Sequence, residues 1–113
     1  MRQKKKPDKK NDAELWKLIP ERISSLDYLF VDHAKDRLKT RKILDIEVLD
    51  ILENKAGCNR KRNKKKDIYN PDRPDWNYCI EGFCLDHEKI RIIISFDKNL
   101  LLVITVIRLS KSE

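Results

Sequence analysis

A chain of 113 residues suits one small domain, and a hydrophobic content of 40% is enough for a single modest core. The charged content is also 40%, and the net charge of +7 sits in two runs: residues 1–10 carry +5, residues 57–66 (GCNRKRNKKK) carry +6, and the other 93 residues carry −4. Such runs attract RNA, DNA or an anionic surface, but no segment approaches the roughly 18 apolar residues of a membrane span and no apolar stretch follows the N-terminal lysines as in an export signal. Three cysteines, Cys58, Cys79 and Cys84, are an odd number. With no export signal, they are expected as reduced thiols in a cytoplasmic protein.

Residues 1–10 read as a disordered basic tail. Asn11 or Asp12 can cap a first helix through Leu15, Trp16, Leu18 and Ile19, which Pro20 either interrupts or follows with a second turn carrying Ile23. Tyr28–Val31 is a short apolar lead-in. Asp32 is placed to cap a helix over His33–Arg41, and Asp45 a third helix with Val48, Leu49, Ile51 and Leu52 on its apolar face, stopped by Gly57. Asn59–Asn70 is expected as a mobile basic loop.

The period then changes from helix to strand. Trp76–Leu85 alternates with Trp76, Tyr78 and Ile80 on one face, and Asp86–Glu88 is a turn. Lys89–Phe96 places Ile90, Ile92, Ile94 and Phe96 on one face and Arg91, Ile93 and Ser95 on the other. Asp97-Lys98-Asn99 is a hairpin connection, and Leu100–Leu109, apolar on both faces, is a central covered strand. Residues 11–110 therefore form one α+β domain, with N-terminal helices packed on one face of a small antiparallel sheet of three to four strands and a basic loop at 57–70.

If the second helix forms, His33, Arg37 and Arg41 recur every fourth residue on one stripe, beside Ala34 and Leu38 on the apolar side. An imidazole moves protons near neutral pH, and a guanidinium fork matches phosphate oxygens; the alternative is a solvated helix face with a basic bias. RNA cleavage without metal needs a base for the 2′-OH, an acid for the leaving oxygen and cations for the charge on the phosphorane. His33 can supply proton transfer, and Arg37, Arg41 and Arg91 the charge. Lys89 and Arg108 are further phosphate contacts, Tyr78 is available for stacking or proton relay, and Arg60, Lys61, Arg62, Lys64, Lys65 and Lys66 form a nucleic-acid-binding run. Arg91 and Arg108 each lie in an apolar strand, so each guanidinium must reach the surface or find an anion. With two glycines there is no Gly-rich phosphate loop, and no cofactor or catalytic metal is expected. A zinc set from Cys58, Cys79, Cys84 and His87 has no standard ligand spacing.

The pattern His33-Ala34-x-x-Arg37-Leu38-x-x-Arg41-x-Ile43, followed by Glu47-Val48-Leu49-x-Ile51-Leu52, then Tyr78-x-Ile80-x-Gly82 and Val103-Ile104-Thr105-Val106, resembles a family of small bacterial domains found beside YgiT-type antitoxins and related to the MqsR and RelE messenger-RNA-cleaving toxins. The resemblance spans roughly residues 26–109. It implies a RelE/barnase-like α+β fold, a toxin-like endoribonuclease acting on free or ribosome-bound RNA, an antitoxin partner, and a polar signature on His33, Arg37 and Arg41. Lys42 stands where the family usually has glycine. Two alternatives remain: a non-catalytic nucleic-acid-binding module, or a protein-interaction domain.

Overall fold

The helix α1 (Asp12–Ser24) starts at a capping box in which Asn11 Oδ1 accepts from the Glu14 N–H and Glu14 Oε1 accepts from the Asn11 N–H. It runs through Pro20 to Ser24 as one element. The proline removes one ladder bond, but Leu15 and Ile19 are fully buried and Ile23 packs against them, so tertiary contacts hold the helix across the break. The computed structural model describes residues 7–54, 58, 60–84 and 87–109.

Tyr28–Phe30, the apolar lead-in, is a strand, β1. The helix α2 (Asp32–Arg41) follows with Asp32 inside its first turn, where a carboxylate favours the helix dipole, and with Val31 at the capping position. It ends at Lys42, whose φ of 54° and ψ of 44° are left-handed. Glycine adopts that conformation at no steric cost, which explains why glycine suits this position. The helix α3 (Asp45–Glu53) is tied at its start by Glu47 Oε1, which accepts from the Leu44 N–H; its predicted stop, Gly57, lies outside the described residues.

Three antiparallel strands follow: β2 (Tyr78–Phe83), β3 (Lys89–Asp97) and β4 (Leu100–Arg108), in the sheet order β1-β4-β3-β2. The fold is α+β, with helices first and sheet last. The sheet is mixed rather than wholly antiparallel, because β1 pairs parallel to β4 with Tyr28 opposite Leu101 and Phe30 opposite Val103. The helices between β1 and the meander give the chain room to return in the same direction. Pairing on both sides makes β4 one of two inner strands, with β3; Leu101, Val103 and Val106 are buried, whereas Ile104 and Ile107 are half-buried rather than covered.

Ile90, Ile92 and Ile94 are fully buried beneath the helices, with Tyr78, Ile80, Leu101, Val103 and Val106 in the same core. Gly82 lies under α3: a Cβ built there would sit 2.6 Å from Ile51 Cγ2. Because Ile51 is β-branched and fixed to its helix, Gly82→Ala should destabilise the fold by about 1–3 kcal/mol. Urea unfolding checks this; an unchanged midpoint would mean that α3 lifts freely from β2.

The basic segment is ordered, not a mobile loop. Residues Arg60–Asn63 form a short helix, α4, and Lys64–Lys66 a 3₁₀ turn, with Ile68 bridging to Asn77. Pro7–Lys10, expected as the end of a disordered tail, also lie on the fold. Trp76 Nε1 donates to the Pro7 carbonyl at 3.0 Å, and Lys10 Nζ reaches Asp75 at 2.8 Å. Met1–Lys6 fall outside the described residues. No helix among the described residues is long and apolar enough to cross a membrane.

Candidate functional site

Helix α2 packs over β4 and β1 with Ala34 fully buried and Leu38 half-buried, which sets His33, Arg37 and Arg41 along one stripe, the histidine exposed and both arginines half-buried. His33 is exposed, and its Nε2 accepts from Arg37 Nε at 3.4 Å. Arg41 is half-buried, and its Nε is shielded from water with no partner among the described residues.

Arg108 joins this stripe as a strut rather than as a free phosphate contact. Its Nη2 donates to the Arg41 carbonyl at 2.5 Å and its Nη1 meets Glu88 at 2.5 Å. The guanidinium thus ties the last turn of α2 to the end of β4 and to the turn before β3. The carbonyls at a helix end lack partners within the helix, and Arg108 supplies one.

Arg91 does not join the stripe. It pairs in register with Ile107 and Glu81, whereas its neighbours Ile90 and Ile92 lie in the core under the helices. Successive strand residues face opposite ways, so Arg91 opens onto the face away from α2. There its Nε binds Glu81 at 2.7 Å, and Lys89 approaches the same carboxylate at 3.4 Å. Tyr78 is not a stacking surface either: it is fully buried, donating to Asp75 and accepting from the Lys10 N–H at 2.9 Å each. Burial, with Asp75 beside it, pushes its phenol well above the ordinary range.

In the basic run Arg60 separates from the others. It is 4% exposed and makes a bidentate pair with Asp67, at 2.9 and 2.7 Å. Its Nη1 also donates to the Cys79 carbonyl at 2.7 Å, its Nε to Asp12 at 3.3 Å, and its plane lies 5.9 Å from the Tyr78 ring. Asp67 Oδ1 in turn accepts from the Cys79 N–H at 2.8 Å, so the pair occupies both main-chain groups of Cys79. A planar fork that meets a carboxylate and a carbonyl at once is a use lysine cannot fill. Arg60 therefore builds the fold, while Lys61, Arg62, Lys64, Lys65 and Lys66 stay exposed around it. Lys64 reaches Asp12 at 3.7 Å.

Burial alone would push the Asp67 carboxyl up, but the Arg60 bonds, the Cys79 N–H and Lys9 outweigh it and hold it below its ordinary value of 3.8. Glu81 is likewise held below 4.5 by Arg91 and Lys89 against burial. A carboxyl with a depressed folded pKa stabilises the protein above its unfolded pKa, and that contribution is lost as pH falls through the folded value. The gap in melting temperature between wild type and Asp67→Asn should therefore be widest at neutral pH and narrow in acid, below the ordinary value of 3.8. A gap independent of pH would contradict the pairing.

These carboxylates were the residues that sequence reasoning missed. Two local signals point to them: Asp67 directly follows the lysine run, and Glu81 is the one acid in an apolar strand. Burial pushes Cys79 up to about 11, with Glu81 adding to it, and raises Cys58, whose Sγ accepts from Asn63 at 3.4 Å. Among the described residues no three His, Cys, Asp or Glu side chains gather to hold a metal ion.

No curated protein and no solved structure matches the chain. Residues 30–108, which carry β1's last residue, the α2 stripe and the whole meander, match the family model described as a domain of unknown function (DUF4258), and the chain belongs to that family.

Proposed function

We propose that this chain is an RNA-binding domain that cleaves its ligand by metal-independent acid–base chemistry, in the manner of the MqsR and RelE toxins that its helical block resembles. The observation that supports the reading most is the exposed His33–Arg37 contact in line with Arg41 on α2. A phosphodiester is a stronger acceptor for Arg37 than an imidazole is, because the bond becomes charge-assisted at both ends. Arriving phosphate draws Arg37 away and leaves Nε2 free to take the proton of the adjacent ribose 2′-OH. The 2′-oxygen then attacks phosphorus, the P–O5′ bond breaks, the 5′-oxygen takes a proton from solvent water, and a 2′,3′-cyclic phosphate remains. Arg37 and Arg41 balance the charge that develops on the non-bridging oxygens. The sequence reading gave Arg91 and Tyr78 roles here; the fold directs both elsewhere.

By the same resemblance, the ligand is free or ribosome-bound RNA in the cytoplasm, and an antitoxin partner would neutralise the protein by covering α2. The test is incubation of labelled RNA, free and on ribosomes, with the protein in EDTA. New 3′ ends bearing cyclic phosphate are the expected result. RNA that is bound but never cut would instead favour a non-catalytic binding module, a reading supported by the ordered lysines of α4 and the 3₁₀ turn.

A further inference from the structure

The two basic runs, some fifty residues apart in sequence, meet at one corner of the fold. Lys9 bridges them: its Nζ contacts Asp67 at 2.9 Å and the Lys64 carbonyl at 3.3 Å, and lies 5.5 Å from the centre of the Trp76 ring. The acids at this corner are taken up by its inner cations. Asp67 and Asp12 face Arg60, Lys9 and Lys64, and Asp75 faces Lys10. Lys61, Lys65 and Lys66 are exposed and have no partner among the described residues. Their backbone lies in α4 and the 3₁₀ turn next to the buried Arg60–Asp67 pair, so three exposed lysine side chains leave one short structured segment. Next to Lys9, Trp76 and Tyr69 meet at 5.7 Å between ring centres with their planes tilted by 51°, both half-buried.

We infer that this corner is a second RNA-docking surface, which holds the backbone of a single strand through Lys61, Lys65 and Lys66, with the Trp76–Tyr69 ledge beside it for unpaired bases. The inference rests on RNA being the ligand, as proposed above. Exposed lysines and aromatic rings at one corner suit single strands, whose bases are free to stack. The corner lies outboard of β2, while α2 packs over β4 and β1. Two strand spacings, about 10 Å, separate the elements below them before the outboard offset is added. One nucleotide cannot touch both, so the corner grips a stretch of RNA other than the one presented to His33. It supplies affinity without sequence preference, and the α2 stripe supplies the chemistry.

The experiment compares wild type, the triple variant Lys61→Gln/Lys65→Gln/Lys66→Gln and His33→Ala in binding a fluorescent single-stranded RNA of about 16 nucleotides across a salt series. Neutralising three phosphate contacts on a single strand should flatten the slope of log K against log salt by about 2. His33→Ala should leave that slope unchanged. In the cleavage assay the triple variant should lose activity at low RNA concentration and recover it at saturation. An unchanged slope in the triple variant would overturn the inference, as would an acidic polypeptide that competes as well as RNA per charge. Absence of cleavage by wild type would remove the nuclease reading and leave the slope measurement intact.

Discussion

Asp67→Ala should destabilise the protein by about 3–5 kcal/mol, the usual consequence of removing one member of a buried ion pair. The side chain of Asp67 is fully enclosed and that of Arg60 is 3% exposed. Without the carboxylate, the guanidinium keeps only Asp12 and the Cys79 carbonyl. Two further bonds go with it, from the Cys79 N–H and from Lys9, which together anchor the segment between α4 and β2. Guanidinium-chloride unfolding reads the loss. A change below about 1 kcal/mol would put the pair in the class of weak surface contacts and contradict its enclosure. The double replacement Arg60→Met/Asp67→Leu should recover part of the loss, since a well-packed apolar pair leaves no stranded charge. Recovery should be incomplete, because both main-chain groups of Cys79 would still lack partners.

The second large effect is chemical. His33→Ala should slow RNA cleavage by about 10²–10⁴-fold, the range typical of one proton-transfer group, with RNA affinity unchanged. His33 is exposed and, among the described residues, bonded to Arg37 alone, so its removal should leave the melting temperature in place. Single-turnover cleavage of end-labelled RNA separates the chemical step from binding and release. Arg37→Lys should not restore what Arg37→Ala loses, because an ammonium lacks the planar fork. Undiminished cutting by His33→Ala would take the imidazole out of the mechanism.

The parts of the fold that rest on periodicity were legible. The alternating isoleucines of β3 are buried as their spacing requires, and the doubly apolar β4 is paired on both sides. Periodicity was silent about direction, so three residues as short as Tyr28–Phe30 did not announce a parallel partner. The α2 stripe is a local property, fixed by helical spacing, and the structure presents it as the spacing implies. Arg91 is different. Its face relative to Ile90 was readable, but which face the helices would cover together with α2 is a tertiary fact. Arg60 was the hardest to see. Within a run of cations no local pattern marks the one that turns inward, and only the return of Asp67 and β2 to its side selects it. Pro20 shows the converse, a local breaker overruled because Leu15, Ile19 and Ile23 are held on both sides of it.

The Arg60–Asp67 pair has a colloidal consequence. β2 is the margin of the sheet, and an open margin is a template on which a foreign strand can grow. At Cys79 the carboxylate and the guanidinium stand where a neighbour's carbonyl and amide would bind, so the template is already filled by the chain's own charges. The next strand inward, β3, carries the apolar triplet Ile92-Ile93-Ile94. Removing the ion pair would open both main-chain groups of Cys79 on this margin.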